Sequence, residues 1–534
     1  MRKLRIISIG EFSGLSSGIA KIQLELLSRF HATNKYEIAE LATGISPIDR
    51  RIQHIPWKVC PVMPGPNDKQ RQEIFSSHPI HSSGRYLFET IACQFKPDVV
   101  ICSTDPWIQL FWLIDNPLRR MYKIAYHAPV DGYPQKNTWI TWQDQADKLF
   151  TYSKWGTTVL QEALPHRNDI EPSYLCADSE IFKPMDKSAI RKSLGLLDDS
   201  IIFGMCARNQ LRKDFDGLMQ TFAKYLNKVS DDIAKRSFLY IHTTYPDSDR
   251  SWELHSMLHE HGLSSKVLFT YRCLNCSTFY PAFFQDTKSI CRKCGKYALQ
   301  MSGSHNPVSP QELALIYNIF DIYAHLIFCG GFELPILEAA SCGIPTIYSD
   351  YSGTEDFKTS LDAIPVPIKA FRREIETGRY WGISDYEQAC DTLVKFGSMP
   401  KQILRSMGAK LHQNAIKNYN WDNSANLWMK YFDQLKIEDW QSTWFSQPRV
   451  YNGNLSMPPN HESMKPRDFV NWCLINTGFT DMIDSPLAIQ HSHFLNTGFI
   501  IGSNQPFGKK NVIDFWAERA RNYSFWERER LKFS

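Results

Sequence analysis

The 534-residue chain contains no run of the ~18 apolar residues that a membrane-spanning helix needs. It has no surplus of one charge: 60 basic and 56 acidic side chains leave +4, which argues neither for nor against nucleic acid or an anionic membrane. No secretory leader is legible. Met1–Gly10 is basic and then apolar, but Leu4–Ile9 is too short for the apolar part of a signal peptide and reads as a first strand. Cysteine is not scarce, but the count of 13 is odd and most lie scattered in apolar runs. That usage fits reduced thiols and a cytoplasmic setting. What is present is ordinary for a soluble protein, with 43% hydrophobic and 22% charged residues. At roughly 100–200 residues per domain, the length predicts two or three domains.

Short apolar runs alternate with amphipathic ones. Leu4–Ile9 is followed by the Gly/Ser-rich loop Gly10–Gly18 and a helix pattern over Ile19–Phe30. Val99–Cys102, Lys123–Tyr126 and Lys148–Tyr152 are further strand candidates. The pattern restarts near Phe182-Lys183-Pro184, with strands at Ile201–Met205, Ser237–His242, Lys266–Thr270, Ile322–Ile327 and Pro345–Ser349. Helices are expected at Asp216–Leu226, Pro310–Ile319, Leu334–Ser341 and about Asp422–Leu435. Such alternation predicts an α/β protein of two doubly wound, Rossmann-like lobes, 1–185 and 186–420, with a helix over 421–437 returning to the first. Ligands of such sheets bind beyond the carboxyl ends of the strands, so two facing lobes place the site between them. Residues 438–534 form a small extension of unassigned role. In it Tyr451–Arg467 reads as a linker, and Asn476-Thr477-Gly478-Phe479 recurs as Asn496-Thr497-Gly498-Phe499, by coincidence or as two similar turns. Asn511–Lys532 reads as a charged helix with aromatics.

The most informative stretch runs from Gly330-Gly331-Phe332-Glu333-Leu334-Pro335 through Glu338 to Gly343-Ile344-Pro345. It reads as a glycine turn entering a helix that Gly343 caps. A turn at a helix N-terminus is an anion site. Glu338, one turn in, can accept hydrogen bonds from a diol; a plain strand–helix–strand unit with a tight turn would read the same way.

This run resembles the donor motif of retaining glycosyltransferases with the GT-B fold, the group 1 (family 4) type, whose usual form is E-G-F-G-L-P-x-x-E-A. The resemblance implies that Gly331, Phe332, Leu334 and Glu338 bind the nucleotide-sugar donor, with Glu338 on the ribose. There is one departure: the family's first glutamate, which faces the sugar, falls on Gly330, and its second glycine falls on Glu333. Glu333 is expected to reach into the same space. Arg208 through Lys213 resembles the segment whose Arg and Lys hold the diphosphate, with a solvated basic loop as the alternative; Arg212 is an extra cation. Asp178–Pro184 resembles the signature at the domain junction. His127-Ala128-Pro129-Val130-Asp131-Gly132 resembles the H-x-P-x-D-G loop, which implies His127 and Asp131 at the sugar with Glu333 as catalytic residues. Gly18 resembles the glycine that lets the backbone approach the phosphates, and Asp105-Pro106-Trp107 is expected to border the acceptor groove.

Cys273-x-x-Cys276 and Cys291-x-x-Cys294-Gly295 form two knuckles with 14 residues between them. The spacing suits a structural zinc ribbon, inserted over 271–304 at the cleft rim of the second lobe. Iron is the rival metal, and four free thiols the alternative. The ribbon can order a flap, contact the acceptor or bind a partner, nucleic acid included.

By resemblance the reaction is sugar transfer from a nucleotide sugar, with retention and without a catalytic divalent metal. The acceptor stays open among glycan, lipid-linked, protein and modified nucleic acid. A transferase acting on hydroxylated DNA bases, a nucleotide-sugar epimerase and a non-catalytic nucleotide-sugar binder remain as alternatives.

Overall fold

The computed structural model describes residues 2–247, 251–285, 287–303, 306–436, 440–500 and 505–533. The expected boundaries at 304 and 437–438, and both terminal residues, lie outside them. Seven strands build the first sheet: β1 Leu4–Glu11, β2 Tyr36–Thr43, β3 Lys58–Pro61, β4 Val99–Cys102, β5 Lys123–Ala128, β6 Lys148–Thr151 and β7 Glu171–Pro172. They run parallel in the order β3-β2-β1-β4-β5-β6-β7. The apolar runs are continuous rather than alternating because helices cover both faces of a parallel sheet.

Strands β8 Ile201–Cys206, β9 Ser237–His242, β10 Val267–Cys273, β14 Ile322–His325, β15 Thr346–Ser349 and β16 Ile364–Val366 form the second parallel set. Their order is β10-β9-β8-β14-β15-β16, the topology of the first lobe repeated. Between β10 and β14 lie β11 Phe279–Phe283, β12 Ser289–Ile290 and β13 Tyr297–Met301. β11 and β13 both pair antiparallel with edge strand β10, so the cysteine-bearing insertion is continuous with the sheet. A hairpin of β17 Ile368–Arg373 and β18 Tyr380–Ser384 follows, which the sequence pattern does not announce.

The helix Trp421–Gln434 packs back on the first lobe: the Trp428 indole N–H donates to Ser173 Oγ at 2.9 Å and its ring lies 4.3 Å from Phe150. In the C-terminal extension, helices Pro466–Thr477, Pro486–Thr497 and Lys509–Glu529 share a small core around Phe479 and Trp516. The repeated tetrapeptides are two similar helix ends, with Gly478 and Gly498 as left-handed caps at φ 92° and 76°. Residues 451–467 are no free linker: Tyr451 stacks on Phe479 at 4.5 Å, and a helix already begins at Pro466. The extension docks on the first lobe through a buried Arg120–Glu527–Arg530 network. Among the described residues no helix is long and apolar enough to cross a membrane.

Candidate active site

The carboxyl ends of both sheets face one cleft, and two helix N-termini meet there. Gly18 opens the helix Gly18–Ala32, and a Cβ on it would reach only ordinary contact, 4.0 Å, with Leu334 at the start of the helix Leu334–Ser341. Aligned peptide dipoles leave partial positive charge at both ends, which favours an anion between the lobes.

Glu333 caps the second helix in the left-handed conformation, φ 74°, at the place where the family motif has glycine. A non-glycine residue there is strained and persists only where its surroundings hold it. Three groups do so. Arg212 Nη1 reaches Glu333 Oε1 at 2.8 Å, His325 Nε2 lies 3.0 Å from Oε2, and Lys213 Nζ is paired with Oε2. Burial opposes ionisation of Glu333, but Lys213, Arg212 and His325 outweigh it and hold the carboxyl well below its usual range. Burial and the neighbouring Arg212 bring the Lys213 ammonium down to about 8 despite Glu333. Gly330 supplies the room: a Cβ there would lie 2.2 Å from Glu333 Oε1. The carboxylate therefore occupies the space over residue 330.

Lys213 and Arg212 sit where the loop after β8 runs beside the segment after β14. Lys213 bridges to Ile327, and Phe328 N–H donates to Arg212 O at 2.9 Å. Arg208 points outward and makes a two-pronged pair with Asp247, at 2.8 and 3.1 Å. Glu338 is buried, with Tyr317 O–H donating to Oε2 at 2.9 Å and Lys21 Nζ 3.0 Å from Oε1. Lys21 belongs to the first lobe and Glu338 to the second, so the pair bridges the cleft. Asp131 bridges it too, paired with Arg379 from the turn before β18, next to Tyr380 N–H donating to Tyr133 O at 2.8 Å.

Two residues expected at the sugar and the donor lie in the core. His127 is fully buried, its Nε2–H donating to Ser173 O at 2.8 Å and its Nδ1 facing Ser103 Oγ at 2.9 Å. Burial lowers its pKa to about 3, and both ring nitrogens are engaged. Phe332 is likewise buried, 5.1 Å from Phe357 and 5.6 Å from Tyr419, and packs the core beneath the turn. Gly331 stays at the cleft junction, where a Cβ would touch the Pro129 backbone at 3.5 Å. Lys21, Arg379 and His325 were not singled out in the sequence. Lys21 lies on an amphipathic helix 317 residues from its partner, so no local pattern marks it.

The four cysteines converge. Their sulfurs all lie within 4.8 Å of one another, with Cys273–Cys294 at 3.6 Å and Cys276–Cys291 at 3.7 Å. Thiolates about 2.3 Å from a central ion stand at tetrahedral edges of about 3.8 Å. The separations fit a four-thiolate metal site and are far longer than a disulfide bond. Gly295, φ 68°, makes the second knuckle turn.

Two parallel lobes of this order and a ligand cleft at their carboxyl ends can be matched to solved structures. Sucrose-phosphate synthase from Thermosynechococcus elongatus superposes with a TM-score of 0.57 at 14% identity, covering 81% of this chain and 99% of that one. A glycosyltransferase from Rickettsia africae gives 0.57 at 12%, covering 82% and 100%. Anabaena HepE, solved with UDP and glucose, gives 0.55 at 13%, covering 81% and 100%.

The fold is that of the GT-B glycosyltransferases.

In sequence, D-inositol 3-phosphate glycosyltransferase of Stackebrandtia nassauensis is 24% identical over 236 residues, 42% of this chain. The chain spans 45% of the length of that relative. No protein-family model matches the chain. The GT-B cleft here carries the Arg212–Lys213–Glu333 cluster on its second lobe and Asp105, Asp131 and Glu11 on its first. Burial, and then the like charge of Asp131, raises the Asp105 carboxyl to about 7.

Proposed function

We propose that this protein is a glycosyltransferase that moves a sugar from a nucleotide sugar to a hydroxylated acceptor, with retention of configuration. The observation that carries the reading is Arg212 and Lys213 beside the N-terminus of the helix Leu334–Ser341, with Glu338 one turn further on. Cations and helix dipole suit a diphosphate, and Glu338 suits the ribose hydroxyls, in exchange for Lys21. Gly18, Gly331 and Leu334 line the approach, and Arg208 adds a cation once it turns from Asp247.

In the proposed step the C1–O bond to the diphosphate breaks while the acceptor oxygen bonds to C1 from the same face. The acceptor proton passes to the departing phosphate oxygen. Arg212, Lys213 and Arg208 stabilise the charge that develops on the leaving group. Glu333, in the space over residue 330, takes the sugar-facing role, with Asp131 opposite it. The chain's own residues thus supply the charge stabilisation, and no divalent metal enters the step.

Glu11, Asp105 and Asp131 stand on the first-lobe wall, where Arg379 pairs with Asp131, and the acceptor stays open among glycan, lipid-linked, protein and modified nucleic acid. The four-cysteine site is proposed to hold a structural zinc ion, which would close the ribbon without touching the chemistry. Thirteen cysteines with no disulfide among them suit a reducing, cytoplasmic setting.

The test is a panel of nucleotide sugars, UDP-glucose first because Anabaena HepE is solved with UDP-glucose, offered with glycan, lipid-linked, protein and modified nucleic acid acceptors. Mass spectrometry should find nucleoside diphosphate released and a glycosylated acceptor, and the NMR coupling at C1 should show the donor's anomeric configuration unchanged. An altered sugar nucleotide without acceptor would mean an epimerase. Tight nucleotide binding with no turnover for any pair would mean a binding protein.

A further inference from the structure

The cysteine ribbon grows from the carboxyl end of β10, and one loop joins it to the cleft. That loop leaves β9 and begins with residues 243–247. Its Asp247 holds Arg208 at 2.8 and 3.1 Å. Further along, Trp252 N–H donates to Asn209 Oδ1 at 2.9 Å, and Asn209 Nδ2 donates to Trp252 O at 3.0 Å. Asn209 is fully buried, so this loop fixes the backbone that carries Arg208, Arg212 and Lys213.

The ribbon grips the same loop at two points. Phe284 directly follows β11, which starts three residues after Cys276. Its ring meets Tyr245 edge-on at 5.5 Å, stacks on His255 at 5.2 Å and meets Phe269 of β10 edge-on at 5.8 Å. The next residue is pinned as well: Gln285 N–H donates to Tyr271 Oη at 2.7 Å. On the ribbon's return, Gly303 lies so close to Thr244 that a Cβ would sit 2.9 Å from Thr244 Cγ2. Ser302 N–H anchors that return on Thr270 O at 2.9 Å.

β11 and β13 pair with β10 at the base of the ribbon, where Phe279 and Leu299 are buried, but its tip is thin. β12 is two residues long, and Tyr297 and Ile290 are exposed. A tip this short and this exposed depends on its cross-link, and at such sites metal binding is coupled to local folding.

We infer that a metal ion on Cys273, Cys276, Cys291 and Cys294 orders the donor-phosphate loop, through Phe284 against Tyr245 and Gly303 against Thr244. The inference rests on the reading of Arg208, Arg212 and Lys213 as the diphosphate site. Phe284 is on this account a positioning residue that touches neither metal nor donor. Because coupling between two sites is reciprocal, bound nucleotide should also slow loss of the metal.

The experiment uses the full chain. UDP, GDP and ADP are titrated, and the tightest is carried forward. The native protein should hold about one metal equivalent, and chelation should weaken nucleoside diphosphate about tenfold, within the usual range of coupling between sites. Hydrogen exchange should quicken at residues 243–247 while the parallel strands stay protected. Phe284→Ala should keep its metal, bind nucleotide as weakly as the stripped protein, and lose no more on chelation. Phe284→Leu, which keeps apolar contact, should recover most of the affinity. Native protein without metal, unchanged affinity after stripping, or a Phe284→Ala protein that stays fully coupled would each overturn the inference. If none of the three nucleotides binds the native protein, the donor reading fails; exchange at 243–247 with and without metal then decides this inference alone.

Discussion

Gly330 and Glu333 share one space: the side chain that residue 330 lacks would lie 2.2 Å from the Glu333 carboxylate. Against the motif that the sequence resembles, a glutamate stands at 333 where that motif has glycine, and a glycine at 330 where it has glutamate. Glu333 bears a left-handed backbone there, a strain of about 1–3 kcal/mol that its ion pairs offset.

Gly330→Ala should therefore push the carboxylate off Arg212 and Lys213. We expect a stability loss of about 1–3 kcal/mol and a large drop in turnover. Glu333→Gln should cut turnover strongly while leaving bare nucleoside diphosphate binding nearly intact. The exchange Gly330→Glu with Glu333→Gly should restore part of the activity that either change alone removes. Steady-state kinetics on these variants, with Gly330→Glu and Glu333→Gly each alone, checks this; a Glu333→Gln enzyme of normal turnover would take the residue out of the chemistry.

Glu338→Ala should weaken donor binding by about 1–3 kcal/mol, the cost of leaving ribose hydroxyls without an acceptor. Lys21→Ala should act in the opposite direction on bare nucleotide, because it frees Glu338 from the cation 3.0 Å away. Calorimetric titration of both variants separates the effects, and equal affinities throughout would remove the pair from the site.

Alanine at Arg208 or Lys213 should lower turnover more than it lowers the melting temperature, since both are assigned to a charge that grows in the transition state. Lys213→Ala should be the more destabilising, because it leaves buried Glu333 short of a partner while Arg208 is exposed. Thermal unfolding beside kcat distinguishes them.

Asp105 gives a pH signature. Its carboxyl titrates near 7 when folded, against about 3.9 in an unfolded chain. Between those values the folded protein binds the extra proton, so Asp105 stabilises fully below about pH 4 and this contribution is lost as pH rises through 7. Asp105→Asn should remove that fall. Melting temperatures of both proteins across pH 4.5–7.5 test it, and parallel curves would refute it.

The sequence by itself determined the two parallel sheets, because strands buried on both faces leave unbroken apolar runs such as Val99–Cys102 and Ile201–Cys206. It also determined the helix Leu334–Ser341, whose glycine turn and Gly343 stop are local features, and the cysteine cluster, whose spacing is itself the ligand geometry. The tertiary structure alone decided what occupies the cleft. Lys21 meets Glu338 across 317 residues, and Asp131 meets Arg379 across 248. Pairings between lobes follow no period along the chain. His127 shows the same limit: the helix Trp421–Gln434 lays Trp428 against it at 5.6 Å, and closure by that remote helix makes the histidine part of the core.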